Sequence, residues 1–270
     1  VSSASCTRIT KPAQSPFMSS LVNTIDHLVQ LIESQSDCKT QRTAMQSRGA
    51  FIVFEGIDRC GKSSQCKKLL TYLSDKKIKN KFYRFPNRDS LTGQIINDYL
   101  TNKIKTLDDR CIHLLFAANR HESKQQIIDD LNAGINIVCD RYSYSGIAYS
   151  ASKQMSEKYA ANMSVDWCSV SESGLPKPDC VIYLDLSVAD AQKRGDFGLE
   201  RYEKTEFQKK VRSAFASIIE NERRKNKYTA WNVIDANDDV ESIHRQIVDV
   251  VHQTMQQVGK KEKEIELYAE

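Results

Sequence analysis

Short apolar runs alternate with stretches of helical periodicity from about residue 49 onward. Five of the runs have the length of a β-strand, and they cover residues 50–55, 81–85, 135–140, 180–186 and 231–234. Between them, stretches such as residues 112–131 and 207–223 carry apolar side chains at helical spacing, which predicts helices. This alternation predicts an α/β fold with a doubly wound, five-stranded parallel sheet and helices on both faces.

The two ends of the chain do not follow this alternation. Residues 1–20 are rich in Ser and Thr and contain no acidic residue, so we expect them to be disordered. Apolar residues between positions 21 and 32 recur at helical spacing and predict one amphipathic helix. We therefore divide the chain into an N-terminal extension (1–48), a main domain (49–257) and a charged C-terminal tail (258–270), and we expect residues 259–264 of the tail to be solvated.

A glycine loop of the form G-x-x-x-x-G-K-S joins the first predicted strand to a helical pattern. Its glycines let backbone N–H groups converge on an anion, and the start of the helix adds a partial positive charge. In such a loop Lys62 reaches the β- and γ-phosphates, and the hydroxyl of Ser63 ligates Mg²⁺. An ordinary glycine turn does not explain the adjacent Lys and Ser, so the loop predicts nucleotide binding. The segment reads Gly56, Ile57, Asp58, Arg59, Cys60, Gly61, Lys62, Ser63 and Ser64.

Polar residues follow the apolar runs, at the edge of a parallel sheet where ligands bind. Asp140 follows the third run, and a carboxylate there holds Mg²⁺ beside a phosphate loop; the alternative is a helix N-cap. Asp58 would repel phosphates unless it faces a second ligand or pairs with an arginine, which favours a kinase with two substrates over a simple ATPase. Arginines, whose guanidinium groups suit phosphates, recur at Arg59, Arg88, Arg120, Arg141, Arg194 and Arg201.

Composition narrows the class of protein. Hydrophobic residues make up 40% of the 270 positions, enough for a full core, and the net charge is only +4. We therefore expect no nucleic-acid partner, which would require a strongly basic face, and no membrane span, since no apolar stretch is long enough. The eight cysteines include no C-x-x-C pair, which is typical of reduced, intracellular thiols. Cys60 is either a small tolerated loop residue or an oxidant-sensitive thiol activated by the helix N-terminus.

Six motifs occur in the order in which a known family has them. They are Gly56-Ile-Asp-Arg-Cys-Gly-Lys-Ser63, Arg84-Phe-Pro-Asn-Arg88, Leu114-Leu-Phe-Ala-Ala-Asn-Arg120, Asp140-Arg-Tyr-Ser-Tyr-Ser-Gly146, Gly174-Leu-Pro-Lys-Pro-Asp179 and Glu200-Arg-Tyr-Glu203. Together they resemble the thymidylate kinases of the eukaryotic type, over about residues 48–257. The resemblance implies the fold of the P-loop nucleoside monophosphate kinases, with a mobile lid at residues 195–202. It also implies in-line phosphoryl transfer from ATP to dTMP with Mg²⁺, a step of dTTP biosynthesis.

The resemblance further implies roles for residues on the ATP side. The loop would hold the ATP phosphates, with Lys62 on them and Arg59 reaching the transferred phosphate. Ser63 and Asp140 would hold Mg²⁺. Arg194 and Arg201 would lie near ATP beside the lid. The catalytic residues would then be Lys62, Arg59, Asp140 and Arg141.

On the acceptor side, the resemblance implies that Asp58 contacts the sugar 3′-hydroxyl. Arg88 and Arg141 would clamp the phosphate of dTMP. Phe116 would stack on thymine, and Arg120 would donate a hydrogen bond to a thymine carbonyl. The remaining residues expected at the dTMP site are Tyr149, which would crowd the 2′ position of the sugar, and Phe85, Ser145, Gly146 and Tyr202.

Other functions stay open at this point. They are phosphorylation of another pyrimidine nucleoside monophosphate, or of a nucleoside, on the same fold, and a non-catalytic nucleotide-binding protein. The resemblance implies a homodimer. We expect a cytoplasmic or nuclear protein, with a mitochondrial location through the N-terminal extension as the alternative. The chain departs from the family in a longer, more polar segment at residues 154–162 and in Asn87, which replaces a common acid.

Overall fold

The structure is a computed structural model of the chain, and it describes residues 47–153, 163–194, 200–224, 230–260 and 264–269. Ser47–Glu270 form one compact unit. The predicted helix between residues 21 and 32, the rest of the extension up to residue 46, and the segment 154–162 lie outside the described residues. The described residues therefore cover most of the predicted main domain and part of the predicted tail.

Five parallel strands form the sheet in the order β2-β3-β1-β4-β5. They are β1 (Phe51–Glu55), β2 (Asn80–Arg84), β3 (Asn136–Asp140), β4 (Cys180–Asp185) and β5 (Ala230–Asp235). The predicted five-stranded parallel sheet is confirmed, and each strand begins and ends within one residue of its predicted bounds. Because β1 lies in the middle of the sheet, the loop that follows it opens at the centre of the carboxyl edge.

Helices connect the strands and flank the sheet. In the described residues they are α1 (Lys62–Asp75), α2 (Leu91–Leu100), α3 (Asp109–Glu122), α4 (Lys124–Asn132), α5 (Ser143–Ala151), α6 (Val165–Val170), α7 (Val188–Lys193), α8 (Thr205–Arg224) and α9 (Val240–Lys260). Each long helix buries one apolar stripe. In α1 the stripe consists of Cys66, Leu69 and Leu73, spaced three and four residues apart.

The burial of the strands explains their composition. Every residue of β1 and of β3 is buried, as expected for central parallel strands that are covered on both faces and therefore read as continuous apolar runs. The edge strands β2 and β5 keep exposed positions, and β2 accordingly carries polar residues such as Lys81. The core thus lies along the central strands, directly beneath the loops at their carboxyl ends.

The single helical pattern predicted over residues 112–131 is two helices. Helix α3 ends at Glu122 and α4 begins at Lys124, with Ser123 between them. The amide of Ser123 bonds the carbonyl of Arg120 at 3.1 Å, a contact three residues back, so the chain turns there. Residues 119–126 include no apolar side chain, so hydrophobic spacing does not show where within them the break falls.

The described part of the C-terminal tail has more structure than its charged composition indicates, although Gly259, Lys260 and Glu264 are exposed as predicted. Helix α9 continues to Lys260, and residues 264–269, here called the C-terminal strap, pair antiparallel with the segment that precedes β4. The amide of Tyr268 bonds the carbonyl of Leu175 at 2.9 Å, and its hydroxyl lies 2.7 Å from that of Ser143 in α5. Ile265 and Tyr268 pack against the core. The charged composition of this segment does not indicate its backbone pairing.

An ion pair closes the amino-terminal edge of the sheet. Arg48 donates two hydrogen bonds of 2.7 Å to the carboxylate of Asp179, which also accepts the amide of Phe51 at the start of β1. Only 9% of the Arg48 side chain and 5% of the Asp179 side chain are exposed. Removing one member of such a pair leaves an uncompensated buried charge, and this costs more than the pair itself contributes.

Replacing Arg48 with Ala should therefore lower the free energy of unfolding by about 3 kcal/mol. Urea denaturation of the two proteins measures the difference. The matched control is Lys68→Ala, because Lys68 forms an exposed pair with Glu241 that should contribute less than about 1 kcal/mol. Equal losses in the two variants would contradict the role given to burial.

Candidate active site

The phosphate loop leaves the sheet at the carboxyl end of β1 and leads directly into α1. Gly56 has a φ of 145° and Gly61 a φ of 102°, which L side chains rarely adopt. A Cβ on Gly56 would also lie 2.7 Å from the carbonyl oxygen of Leu184. The backbone therefore requires both glycines of the motif, and strand, loop and helix follow one another as the sequence predicts.

The ammonium group of Lys62 lies inside the loop. It donates to the carbonyl of Ile57 at 2.6 Å and to that of Gly56 at 3.2 Å, and it lies 3.4 Å from the sulfur of Cys60. The Cys60 side chain is buried, and Ile57 packs into the core. This placement favours the interpretation of Cys60 as a small packing residue over that of an accessible thiol.

Ser63 and Asp140 meet where the loop helix faces the end of β3. The Ser63 hydroxyl donates to the Asp140 carboxylate at 2.6 Å, and the Arg84 guanidinium reaches both groups, at 2.6 Å and 3.1 Å. Burial alone would raise the pKa of Asp140, but the charges of Lys62 and Arg141 outweigh it and the pKa is lowered. Asp140 is thus a carboxylate in a strongly positive setting, not a simple helix cap.

Arg141 and Asp58 form an ion pair at the entrance to the loop. Arg141 has a φ of 68°, and its guanidinium donates to Asp58 at 2.5 Å and to the carbonyl of Gly56 at 3.0 Å. Gln208 from α8 holds the other side of Asp58, donating to its carboxylate at 2.6 Å and accepting its amide at 3.0 Å. The acid in the loop is therefore paired with an arginine, one of the two arrangements expected from the sequence.

A buried glutamate fixes the start of α5. Glu55, at the end of β1, accepts the amides of Tyr142 and Ser145, both at 3.0 Å, and the Ser145 hydroxyl at 2.5 Å. Ser145 in turn accepts a hydrogen bond of 3.1 Å from Arg141. Burial raises the pKa of Glu55 despite these donors. Through Ser145, the central strand thus sets the position of Arg141.

Arg120 and Phe116 lie on the face of α3 that borders the cleft. Arg120 is buried and bonds Glu172 through two nitrogens, Nε at 2.7 Å and Nη2. Phe116 is half-buried against the small cluster formed by Ile96, Tyr99, Leu100 and Ile112. The spacing of four residues brings both side chains to the same face, as predicted.

Residues 200–203 lie against the arginines at the mouth of the cleft. Glu200 accepts a hydrogen bond of 2.7 Å from Arg88, and Glu203 accepts one of 3.3 Å from Arg59. Tyr202 stacks on Phe207 with its ring centre 5.1 Å away. Of the predicted lid, residues 195–199 lie outside the described residues.

Two arginines predicted near ATP are placed differently. The guanidinium of Arg194 bonds the carbonyl of Ala236 at 2.6 Å and lies beside Gly61 of the loop. Arg201 instead bonds the carbonyl of Tyr99 at the end of α2, at 2.9 Å, and that of Ile104 in the segment after it, at 2.5 Å. Tyr99 lies in the last turn of that helix, where carbonyl oxygens favour a nearby cation. The structure therefore does not bring Arg201 to the loop.

These elements enclose one cleft of about 1140 Å³. Most of the predicted site residues line it, including Phe85, Ser64 and Tyr149. Those that do not are Gly56, Ile57, Cys60 and Arg201. The cleft runs from the phosphate loop to Phe116 and Arg120, so it joins the two substrate regions that the sequence predicts separately.

Comparison with known proteins decides the family. The family model described as thymidylate kinase matches residues 54–247. The chain belongs to the thymidylate kinase family. It is 43% identical to a thymidylate kinase of Dictyostelium discoideum, over 82% of this chain and 92% of the relative, and 40% identical to that of Homo sapiens, over 74% and 88%. A solved thymidylate kinase structure from Candida albicans, described as having broad substrate specificity, matches with a TM-score of 0.72 and 35% identity, over 83% of this chain and 99% of that one.

Several residues of this thymidylate kinase site were missed from the sequence. Gln208 and Glu172 contact Asp58 and Arg120 from positions 150 and 52 residues away, and no local pattern marks them. Arg84 is the first residue of the second motif, and Glu55 directly precedes the first motif. The sequence therefore showed where both residues lie relative to the motifs, but not which groups they contact. Polar residues at or next to a motif would therefore have been a usable signal for Arg84 and Glu55, but not for Gln208 and Glu172.

A neutral histidine lies behind the acceptor side of the site. His113 is fully buried in α3, with its two ring nitrogens 2.8 Å from the hydroxyl of Ser150 and 2.9 Å from that of Ser171. Burial lowers the pKa of His113 to about 4, and the nearby charge of Arg120 contributes in the same direction. It is therefore a packing residue rather than a proton donor near neutral pH.

The shifted pKa of His113 predicts a pH dependence of stability. Below the unfolded pKa of about 6.5, the unfolded chain binds a proton that the folded protein excludes until about pH 4. Lowering the pH from about 7.5 to about 5 should therefore remove roughly 2 kcal/mol of stability through this residue.

Urea denaturation at the two pH values, compared between the unmodified protein and His113→Asn, isolates this contribution. The variant should lose less stability over the interval. The same loss in both proteins would show that His113 does not titrate as described.

Proposed function

We propose that this chain transfers the γ-phosphoryl group of ATP to dTMP, giving ADP and dTDP. The observation that carries the proposal is the single cleft that joins the phosphate loop to a pocket containing Arg141, Phe116 and Arg120. Membership of the thymidylate kinase family supports it. A nucleoside kinase would not need an arginine clamp for an acceptor phosphate, and the complete loop argues against a protein that only binds nucleotide.

Charge and position account for the chemistry. Phosphoryl transfer places negative charge on the equatorial oxygens of the moving group, and fixed cations stabilise it. Lys62 and Arg59 would act on this group from the loop, and Arg141 from the end of β3. The acceptor phosphate is itself the nucleophile, so no covalent intermediate on the protein is needed.

Ser63 and Asp140 are the residues that would hold Mg²⁺. A hydroxyl and a carboxylate are hard oxygen ligands of the kind that Mg²⁺ prefers, and the structure places the two groups side by side at the loop. The bound ion would neutralise the phosphate oxygens. Arg84 contacts the Ser63 and Asp140 oxygens that would bind the ion. Because 57% of its side chain is exposed, its guanidinium can move away into the cleft.

On the acceptor side, Asp58 would contact the 3′-hydroxyl, while Arg88 and Arg141 hold the phosphate of dTMP. Phe116 would stack on thymine and Arg120 would donate to a carbonyl. The remaining acceptor-site residues would be Phe85, Ser145, Gly146, Tyr149, which crowds the 2′ position, and Tyr202. All of these residues line the cleft.

We also propose a homodimer and an N-terminal extension outside the catalytic domain. The exposed apolar side chains Leu91 and Ile95 of α2, and Leu114 of α3, support the dimer because the two helices pack against each other. Among the described residues, no helix has the length and apolar character to cross a bilayer. We propose a cytoplasmic or nuclear location for the protein, with a mitochondrial location through the N-terminal extension as the alternative.

Replacing Lys62 with Ala should lower kcat by about 100- to 1000-fold, the usual effect of removing one fixed donor to a charge that develops in the transition state. Steady-state kinetics with ATP and dTMP measure it. Lys67→Ala is the control, because Lys67 is exposed on the same helix and should keep its activity. A normal kcat in Lys62→Ala would remove the assignment of the phosphate loop.

Comparing dTMP, dCMP and dUMP as phosphoryl acceptors tests the function itself. Thymine presents a carbonyl at C4 where cytosine presents an amino group, so a donor from Arg120 would face a donor in dCMP. We expect kcat/KM to be higher for dTMP than for dCMP by orders of magnitude. The value for dUMP should fall between them, since it lacks only a methyl group. Comparable values for dTMP and dCMP would refute the thymidylate assignment and leave a kinase of broader choice.

A further inference from the structure

Glu172 lies directly behind Arg120, on the side away from the cleft. It sits in the turn that follows α6, and its carboxylate bonds both Nε and Nη2 of Arg120. Side-chain exposure is only 3% for Arg120 and 1% for Glu172. Glu172 does not itself line the cleft, whereas Arg120 does.

The guanidinium of Arg120 is held on two sides and open on the third. Glu172 occupies Nε and Nη2, while the described residues offer Nη1 no hydrogen-bond acceptor. The backbone of α5 forms the second side, because a Cβ on Gly146 would lie 2.5 Å from Nη2 and 3.0 Å from Nη1. The plane of the group is therefore fixed, and Nη1 is the nitrogen left for a ligand in the cleft.

Glu172 is itself rigidly placed. Its amide bonds the carbonyl of Ser169, and its carbonyl accepts the amide of Leu175, both at 3.1 Å. The C-terminal strap holds the same turn, because the amide of Gly174 bonds the carbonyl of Tyr268 at 3.0 Å. His113 holds Ser171 next to it. Because this turn is held in place, Glu172 has a fixed position, and Glu172 in turn fixes the position of Arg120.

We propose that Glu172 is a positioning residue that sets the selectivity of the acceptor pocket for the base. The proposal rests on the proposed function, in which Arg120 donates to a carbonyl of thymine. Arginine has a long, flexible side chain, and a free guanidinium could turn away from the amino group of cytosine and so avoid a donor–donor contact. With Glu172 and Gly146 in place it cannot turn, and cytosine is rejected because two donors would stay unpaired.

The test is Glu172→Gln, which keeps the shape of the side chain but removes its charge and one of its two acceptors. We expect the ratio of kcat/KM for dTMP to that for dCMP to fall about tenfold or more. The ratio should fall mainly because KM for dTMP rises and kcat/KM for dCMP increases. KM for ATP should stay unchanged, since the loop is elsewhere in the cleft.

Asp179→Asn is the matched control. Asp179 is also a buried carboxylate that bonds an arginine through two nitrogens, but it lies at the amino-terminal edge of the sheet, away from the cleft. This variant should lose stability without changing the ratio of dTMP to dCMP. Equal changes in the ratio in both variants would show a general loosening of the fold and overturn the proposal.

A second variant covers the case in which Glu172→Gln does not fold. Glu172→Asp keeps the charge but is one methylene shorter, so it holds Arg120 less firmly, and its ratio should also fall. An unchanged ratio in a folded variant overturns the role of Glu172 while the unmodified protein still phosphorylates dTMP. If the unmodified protein does not phosphorylate dTMP, the proposed function fails instead, so the two failures are distinct.

Discussion

The register between β1 and β3 is the constraint on which the site depends. Phe54 pairs with Asp140, and the amide of Arg141 bonds the carbonyl of Phe54 at 2.9 Å. The two strands therefore end side by side, and Asp140 and Arg141 come next to the loop that starts at Gly56. A shift of one residue would turn Asp140 to the opposite face of the sheet and separate it from Ser63. The apolar packing of two fully buried strands thus fixes the geometry of the polar site above them.

The cations of the cleft are balanced by oxygen atoms of the same chain. Arg141 pairs with Asp58, Arg88 with Glu200, Arg84 with Asp140, and Lys62 bonds loop carbonyls. Phosphate oxygens have to replace several of these partners when nucleotides bind. Such an exchange keeps the cations compensated throughout, which limits the desolvation cost of concentrating positive charge in one place. Arg120 differs, since its partner Glu172 is buried and remains in place.

The fold could be predicted from the sequence because its signals are local. The apolar run before Gly56 and the run before Asp140 each specify a buried strand, and alternation with helical patterns specifies a parallel sheet. The phosphate loop was predictable because its glycines and Lys62 are contiguous. The placement of Arg201 was not, because the carbonyls that it bonds lie at the end of α2 and in the segment after it, about 100 residues away. Glu172 and the C-terminal strap depend on tertiary contacts in the same way, and no periodicity records them.

The C-terminal strap has a consequence for how the molecule is put together. Its pairing with residues 174–177 runs mostly through backbone amides and carbonyls, which any strand-forming peptide of suitable register can supply. A chain that ended at Lys260 would present these groups as an unpaired edge beside the turn that carries Glu172. A synthetic peptide with the sequence of residues 264–269 could then add to that edge as a separate strand. The turn that holds Glu172 against Arg120 would in that case be braced by a second molecule.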